Sequence, residues 1–276
     1  MSVETVVGRT EKTPPPSTAR RRRSRRGKSG TPVRGLLLLV VVLGIWQLVG
    51  DPDSAYFPPP STWVQAVKPL FSSGEMWQAL GWTALTFFLG LLLAAVFGGV
   101  LGTLVGSSRT WDRAFGPLLE FMRAMPAAAI VPVLALILGY TTTMKLTVVV
   151  IPTTWPILLA CRSARRSMSP LLIEVPRTLH LSRLAALRKV LIPAMTPALL
   201  LGIRVAGPLA LIVTLLVEIV TRINGLGSLL ANAQTRYLSA QVWGLLIIAG
   251  VLGFAVNWAV TRGEGTVARR MGASND

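Results

Sequence analysis

Long apolar runs, separated by short polar and basic segments, dominate the pattern of hydrophobic positions in this chain. A helix rises about 1.5 Å per residue, so about 20 apolar residues are needed to cross the hydrocarbon core of a bilayer. The runs therefore predict an all-α polytopic membrane protein with about six transmembrane helices. The predicted spans are residues 35–50, 79–106, 117–139, 144–163, 194–221 and 239–262.

The composition supports a membrane protein and argues against the common soluble classes. The chain has 276 residues, of which 52% are hydrophobic and 14% are charged, and this is too apolar for an ordinary soluble domain. Its net charge of +17 would suggest a nucleic-acid partner in a soluble protein. Here the basic residues alternate with apolar spans, so no nucleic acid is expected. The lone Cys161 and the lone His180 exclude an internal disulfide and a multi-histidine metal site.

The segments between the runs predict how the chain is organised. The first 34 residues contain the runs PPP and RRRSRR, which predict a disordered cytoplasmic tail that either sets topology or binds anionic lipid or a partner. No cleavage pattern follows the first span, so we expect it to be retained. The predicted segments are a tail at 1–34, the first span at 35–50, an external loop at 51–78, a core at 79–262 and a cytoplasmic tail at 263–276.

Basic residues are distributed unevenly among these segments. With the N-terminus inside, 22 of the 28 Lys and Arg residues lie in cytoplasmic segments and four lie outside, at Lys68, Lys145, Arg222 and Arg236. This bias predicts that both termini and the segment 164–193 are cytoplasmic. The external loop is expected to form a short interfacial helix.

Small residues recur at every fourth position in two predicted spans, a spacing that lets another helix backbone approach closely. These stripes are Ala94, Gly98, Gly102 and Gly106 in the second span, and Gly202, Ala206 and Ala210 in the fifth. They pack either within one subunit or against a second one.

Proline and charge mark further positions within the spans. Pro126 interrupts the third span and frees backbone carbonyls, as happens in helices that line a pathway and in simple packing kinks. Arg123 lies three residues after Glu120, so the two are expected to pair. Arg204 is expected near mid-membrane, as a structural pair, a snorkelling arginine or a pathway residue. We expect Glu218 at the outer membrane interface.

The segment 164–193 is predicted to form two short helices outside the membrane. Ser169-Pro170 is a favourable helix start, and Pro176 should end or kink that helix, because a proline inside a helix costs about 3 kcal/mol. Ser182 is suited to cap a second helix. The apolar stripe of the second helix is Leu184, Leu187, Val190 and Leu191. Such helices either lie in the membrane interface or dock in the groove of a partner.

The register of this segment resembles the cytoplasmic loop by which permease subunits of ABC importers bind their ATPases. The family pattern is Glu-Ala-Ala, three residues, Gly, nine residues, Ile, one residue and Leu-Pro. The corresponding residues here are Glu174, Val175, Pro176, His180, Val190, Ile192 and Pro193. The two end residues match the pattern, whereas the two alanines and the glycine are replaced.

Other stretches resemble the nitrate, sulfonate and taurine branch of binding-protein-dependent permeases. They are residues 120–139, residues 201–206, and Glu218 followed by the Asn-Gly-Leu-Gly of residues 224–227. The resemblance covers roughly residues 60–262 and implies a permease subunit in the plasma (inner) membrane that forms half of a translocation pore. The substrate it implies is a small organic anion or a heterocyclic metabolite.

The resemblance also implies partners. They are two ATPase subunits that bind ATP and Mg, a second permease copy or a non-identical permease, and an external binding protein. This chain has no Gly-x-x-x-x-Gly-Lys-Ser/Thr motif and is expected to bind no cofactor. Coupling through residues 170–193 is implied for Glu174, Val175, Pro176, Leu179, His180, Leu184 and Pro193. The candidates for the pathway or for helix packing are Arg123, Pro126, Arg204, Gly98, Gly102 and Gly202.

The replacements in the loop leave its geometry open. The family glycine lies at the turn between the two loop helices, where a positive φ is expected, and a histidine there has a steric cost. Either the first helix begins near Pro176 or the loop docks differently. Such a loop fits one member of a non-identical pair, although a homodimer is equally compatible with one sequence. The alternative functions are a secondary transporter or channel, and a membrane scaffold.

Overall fold

The computed structural model describes residues 33–270, and within that range the regular secondary structure is helical throughout. The helices are α1 (Val33–Val49), α2 (Pro60–Ser72), α3 (Glu75–Gly106), α4 (Arg109–Ala124), α5 (Ala127–Leu138), α6 (Thr142–Arg166), α7 (Pro170–Thr178), α8 (Arg183–Ala186), a π-helical turn (Leu187–Leu191), α9 (Ile192–Thr221), α10 (Leu226–Thr235) and α11 (Ser239–Arg270).

The chain divides into two units, Met1–Val42 and Leu43–Asp276. Of the first unit, the structure describes only the start of α1. The predicted tails at 1–34 and 263–276 lie largely or partly outside the described residues. All of the packing below concerns the second unit.

Four of the described helices are long and apolar enough to cross a membrane. They are Glu75–Gly106, Thr142–Arg166, Arg183–Thr221 and Ser239–Gly263. Their positions agree with four of the predicted spans. The predicted first span corresponds to a shorter apolar helix, Leu37–Val49.

The predicted third span, 117–139, is interrupted at Pro126, where the sequence indicated a break. Helices α4 and α5 are bent by 95° relative to each other. Met125 between them is extended, with φ −66° and ψ 126°, because Pro126 disfavours the α conformation of the residue before it. Pro132, by contrast, lies inside α5 and does not break it. The structure has a fifth span if the bent pair crosses the membrane as one unit.

The segment 51–78, predicted as an external loop with a short helix, contains α2 and the start of α3. The apolar side of α2 packs on α11: Val67 belongs to a buried cluster with Leu245 and Ala249. Trp63 stacks on the ring of Trp243 at 5.6 Å. Helix α2 is therefore an integral part of the packed bundle.

Helix α6 lies between α3 and α9, and glycines on α3 and α9 allow both helices to pack closely against it. A Cβ on Gly98 would lie 2.9 Å from the carbonyl oxygen of Thr154, and one on Gly102 would lie 2.3 Å from that of Leu158. On the other side, a Cβ on Gly202 would lie 2.7 Å from the Cα of Ile157. Both small-residue stripes thus pack inside the subunit, on the same helix.

The contacts also give the helix directions. Gly90 meets Val149 and Gly106 meets Arg162, so α3 and α6 run parallel. Glu218 contacts Lys145, so α9 runs antiparallel to α6. Parallel neighbours require the chain to return between them, and α4 and α5 make this return.

Candidate functional site

One end of the bundle, where α3 and α6 finish and α8 begins, carries Arg162, Arg165 and Arg183. We call it the arginine-rich end. Asp112 of α4 lies here and is only 5% exposed. Its Oδ1 accepts from Arg162 Nε at 2.5 Å, and its Oδ2 pairs with Arg166. The two ion pairs attach the start of α4 to the end of α6.

The predicted first loop helix is present at this end as α7, Pro170–Thr178. On this helix the side chain of Glu174 is exposed and the side chain of Val175 is half-buried. The expectation that Pro176 ends the helix is not met, because α7 continues to Thr178. The alternative in which the helix begins near Pro176 is likewise wrong. A proline removes one backbone hydrogen bond, and the neighbouring turns of α7 tolerate this loss.

His180 occupies the position where the family pattern has glycine. Its φ is +47°, in the left-handed region, and the N–H of Leu181 donates to the carbonyl oxygen of Pro176 at 2.9 Å. This six-residue closure is a Schellman motif, in which glycine usually holds the left-handed position. A left-handed residue other than glycine costs about 1–2 kcal/mol. The turn keeps its form in spite of the substitution.

The predicted second loop helix does not end before the membrane. The Ser182 side chain accepts from the N–H of Ala185 at 3.3 Å, as predicted for its cap. From Arg183 the helix then runs through the π-helical turn and α9 to Thr221 without interruption. Pro193 is exposed and lies inside this helix, directly after the π-helical turn. The two predicted loop helices are therefore one short helix and the extension of a span.

Apolar side chains on these helices point away from the bundle. Leu171 is 71% exposed, Leu179 is 64% exposed and Leu184 is 56% exposed. They lie outside or at the very start of the long apolar spans. Exposed apolar groups in such positions fit either helices that lie in the membrane interface or a surface that a partner covers.

The other end of the bundle contains a buried polar cluster that the sequence analysis missed. Lys145 of α6 is 1% exposed and Glu218 of α9 is 0% exposed. Their charged groups lie 3.0 Å apart. Lys145 had been expected in an external loop and instead lies inside α6. Glu218 had been expected at the outer membrane interface, and its side chain is buried because α10 and the preceding loop cover this end of the bundle.

The remaining hydrogen bonds of the cluster tie four elements together. Glu218 also accepts from Thr83 of α3 at 2.9 Å and from the N–H of Gly227 at 3.0 Å. Lys145 donates to the carbonyl oxygen of Asn224 at 2.6 Å. The Thr83 hydroxyl in turn accepts from the N–H of Leu226 at 2.8 Å. Each buried charge is therefore paired and hydrogen-bonded, as burial requires.

Two glycines allow the loop backbone to reach the carboxylate. Gly225 has φ +149°, and a Cβ there would lie 2.1 Å from the Glu218 carboxyl group. A Cβ on Gly227 would lie 2.6 Å from the Glu218 Cβ. The Asn-Gly-Leu-Gly stretch of residues 224–227 is thus built around this acid. An acid and a lysine at the same end of two spans, with glycines following the acid, were the signals available in the sequence.

The remaining predicted site residues are dispersed. Arg123 lies in α4 at 3.9 Å from Glu120, and both side chains are more than half exposed. Pro126 forms the break between α4 and α5. Arg204 is exposed on α9, about 12 residues or roughly 18 Å from the first residue of that helix. The structure thus does not gather these residues into one site.

Comparison with known proteins gives the family. Residues 94–272 match the binding-protein-dependent transport system inner membrane components. A probable ABC transporter permease protein of Haemophilus influenzae is 33% identical over 83% of this chain and 96% of that protein. The putative aliphatic sulfonates transport permease SsuC of Bacillus subtilis is 29% identical over 80% of this chain and 81% of that protein. The bicarbonate transport system permease CmpB of Synechocystis is 29% identical over 82% and 85%, respectively.

Solved structures agree on the fold. A chain of the inward-facing MetNI methionine ABC transporter has a TM-score of 0.59 at 17% identity, covering 72% of this chain and 98% of that chain. An amino acid ABC transporter with histidines has a TM-score of 0.57 at 16% identity, covering 74% and 97%, respectively. Of the functions considered, the ABC permease is thus favoured over a secondary transporter, a channel and a scaffold. The chain belongs to the binding-protein-dependent transport system inner membrane components, as an ABC importer permease of the nitrate, sulfonate and bicarbonate type.

Proposed function

We propose that residues 170–193 dock onto a cytoplasmic ATPase subunit and couple its ATP cycle to this permease. The observation that carries the proposal is the exposure of Leu171 on α7, of Leu179 directly after α7 and of Leu184 in the first turn of the helix that begins at Arg183. Apolar side chains on short helices can enter a groove of a partner, where they are removed from water. Glu174, exposed on α7, adds a charged contact at the same surface.

The arginine-rich end faces the cytoplasm in this proposal. Loops with an excess of Lys and Arg are retained on the cytoplasmic side. The helix directions support this orientation, because they place the segments around Asp112 and Arg183 at the same end of the bundle. ATP and Mg are bound by the ATPase, and this chain supplies the surface that moves with it. The opposite end, with α2 and α10, then receives the external binding protein.

The proposed substrate is a small anion. Relatives are named for aliphatic sulfonates, bicarbonate and nitrate, which share a compact negative charge. Arg204 is exposed far from both ends of α9, and a charge in contact with lipid at such a depth costs at least about 2.5 kcal/mol. In this proposal the side chain faces a water-filled pathway or a second permease. A cation on that surface favours an anionic substrate.

The functional complex contains two ATPase subunits and two permeases. The histidine in the left-handed turn favours a non-identical permease pair, in which the other subunit keeps the standard glycine. Two copies of this chain form the alternative arrangement. The mass of the detergent-purified complex distinguishes the two.

The experiment that tests coupling uses Leu184→Asp in proteoliposomes with the ATPase and the binding protein. A carboxylate in an apolar contact is desolvated without a partner. We expect normal amounts of the variant in the membrane but at least a tenfold loss of substrate-stimulated ATP hydrolysis and of uptake. Thr110→Asp, which adds the same charge at an exposed position of α4 outside residues 170–193, should keep both activities. Full stimulation of a copurified ATPase by Leu184→Asp would contradict the docking role.

The same proteoliposomes test the substrate class. Uptake of labelled sulfonate, bicarbonate or nitrate is expected, while a neutral amino acid of similar size should not be taken up. Uptake of the neutral amino acid alone would refute the anion proposal and leave the coupling proposal intact.

A further inference from the structure

Helix α4 runs alongside α6 in the opposite direction. Three contacts join successive turns of α4 to successively earlier turns of α6. They are Asp112 with Arg166, Gly116 with the guanidinium of Arg162, and Leu119 with Leu158. Arg123 lies one turn beyond Leu119 and is therefore level with about residue 154 of α6. This position is near the middle of the span Thr142–Arg166.

Arg123 lies on the face of α4 that is buried nearer the start of the helix. Positions i, i+4, i+7 and i+11 share one face of an α-helix, and here they are Asp112, Gly116, Leu119 and Arg123. The first three residues are buried, whereas the side chain of Arg123 is 61% exposed. The bundle therefore leaves open space beside this face, directly before the break at Pro126.

A different side of α4 is suited to lipid. Trp111, Phe115 and Leu118 are all exposed, and their spacing places them in one apolar stripe about a quarter of a turn from the buried face. A charge that faces hydrocarbon at mid-span is costly, so charged side chains there face protein or a water-filled cavity. Arg123 and Glu120, which is 58% exposed, therefore face water or another protein rather than lipid.

The geometry of this pair favours water over a dry protein interface. The Arg123 Nη1 lies 3.9 Å from the Glu120 Oε2, whereas the buried pair of Lys145 and Glu218 lies 3.0 Å apart and has further hydrogen bonds. Taking an ion pair out of water requires close contacts of the second kind. The looser pair suits a hydrated surface. A guanidinium has five N–H donors, so the pair leaves donors for a ligand.

We propose that Arg123 lines the translocation pathway at mid-span and contacts the anionic substrate as it passes. A permease subunit forms part of such a pathway, and the open space beside Arg123 is on the side of α4 that packs on the bundle. The guanidinium fork matches two oxygens of an oxyanion, and the sulfonates, bicarbonate and nitrate for which relatives are named all belong to this class. The choice of substrate rests on the function proposed above, whereas the position of Arg123 rests only on the packing of α4.

Uptake of labelled ethanesulfonate, bicarbonate and nitrate into proteoliposomes of the full complex tests the contact with substrate. Arg123→Gln and Glu120→Gln both break the pair, so a purely structural pair would lose the same activity in both variants. We expect at least a tenfold loss of uptake for Arg123→Gln only, while Glu120→Gln, Arg123→Lys and the matched control Arg109→Gln keep at least half. Stimulated ATP hydrolysis should remain in Arg123→Gln, in contrast to Leu184→Asp. Equal uptake by Arg123→Gln and Glu120→Gln, or loss of stimulation in Arg123→Gln, would overturn the proposal.

Cysteine labelling tests the position of Arg123 independently of the substrate. With Cys161 replaced by alanine, Arg123→Cys should react with water-soluble sulfonatoethyl methanethiosulfonate at least tenfold faster than Leu118→Cys on the apolar stripe. Glu120→Cys should react as fast as Arg123→Cys, and it reports on the same site if Arg123→Cys does not fold. Equal rates at positions 118 and 120 would overturn the proposal. Labelling of the isolated permease but not of the assembled complex would indicate a protein interface and overturn it as well. Uptake of a neutral amino acid alone would refute the substrate class, while these labelling rates still decide whether Arg123 lines the pathway.

Discussion

The pair formed by Lys145 and Glu218 shows how the environment of a residue depends on distant parts of the chain. The two are 73 residues apart in sequence, and each lies near the end of an apolar run. Charges at such positions are normally exposed to water or headgroups. Here the backbone of residues 224–227 folds over them, and two further donors, Thr83 and the N–H of Gly227, join Lys145 at the carboxylate. The covering loop, which sequence reasoning could not position, decides the burial.

Removing one partner of this pair should be strongly destabilising. Lys145→Met leaves the Glu218 carboxylate buried without its cation, and breaking a buried pair in this way costs about 3–5 kcal/mol. Adding Glu218→Gln removes the stranded charge while an amide oxygen still accepts from Gly227, so the double variant should recover part of the loss. The measurement is thermal or denaturant unfolding in detergent, read as a double-mutant cycle.

Lys68→Met is the control for this cycle, because Lys68 is exposed on α2. It should change stability by no more than about 0.5 kcal/mol. A Lys145→Met protein as stable as the parent chain would show that the buried pair does not form.

Among the elements, the helices that follow from hydrophobicity alone could be predicted from the sequence. The spans that became α3, α6, α9 and α11 were located because a long apolar run must be buried in lipid or protein. The break at Pro126 was expected from the proline, but the 95° bend between α4 and α5 was not, since the apolar run continues through Pro126 and does not show a change of direction. Hydrophobicity reports burial, whereas the path of the chain depends on packing.

The continuity of α8 with α9 has a local cause. Proline in a helix lacks an N–H and clashes with the carbonyl four residues earlier. Directly before Pro193 the helix widens into a π-helical turn, in which the N–H of Ile192 donates to the carbonyl oxygen of Leu187. A wider turn relieves the clash, as π-bulges do elsewhere. The predicted loop register therefore ends at Pro193 inside a continuous helix rather than at the end of one.

The contact between α3 and α6 should be highly sensitive to side-chain size. Gly102→Ala places a methyl group against the backbone of Leu158 and the Cβ of Cys161, and backbone cannot move aside easily. Overpacking of this kind costs about 1–3 kcal/mol. Gly81→Ala is a matched control on the same helix, since nothing lies within 4 Å of its Cβ. It should leave stability unchanged or raise it by up to about 1 kcal/mol, because alanine favours helix.

Thermal unfolding of the two variants in the same detergent measures the difference. A Gly102→Ala protein that unfolds at the same temperature as Gly81→Ala would show that α3 and α6 do not approach as described. A lower midpoint for Gly102→Ala alone would locate the close contact on this face of α3.

At the scale of the whole molecule, the two ends of the bundle carry different chemistry. One end collects the arginines, the short helix α7 and exposed leucines. The other contains the buried Lys145–Glu218 pair, α2 and α10. The basic bias could be read from the sequence because it depends on counts alone. The buried pair could not, since it requires four elements to meet.

Cysteine labelling tests which end faces the cytoplasm. Ser182 caps the helix at the arginine-rich end, whereas Ser73 follows α2 at the other end, and both are exposed. With the buried Cys161 replaced by alanine, Ser182→Cys should react with a membrane-impermeant maleimide only after the inner face is opened. Ser73→Cys should react in intact cells. Because basic loops resist translocation, no other orientation keeps 22 of the 28 Lys and Arg residues inside. Labelling of Ser182→Cys in intact cells would reverse the orientation and remove the coupling surface from the reach of any cytoplasmic ATPase.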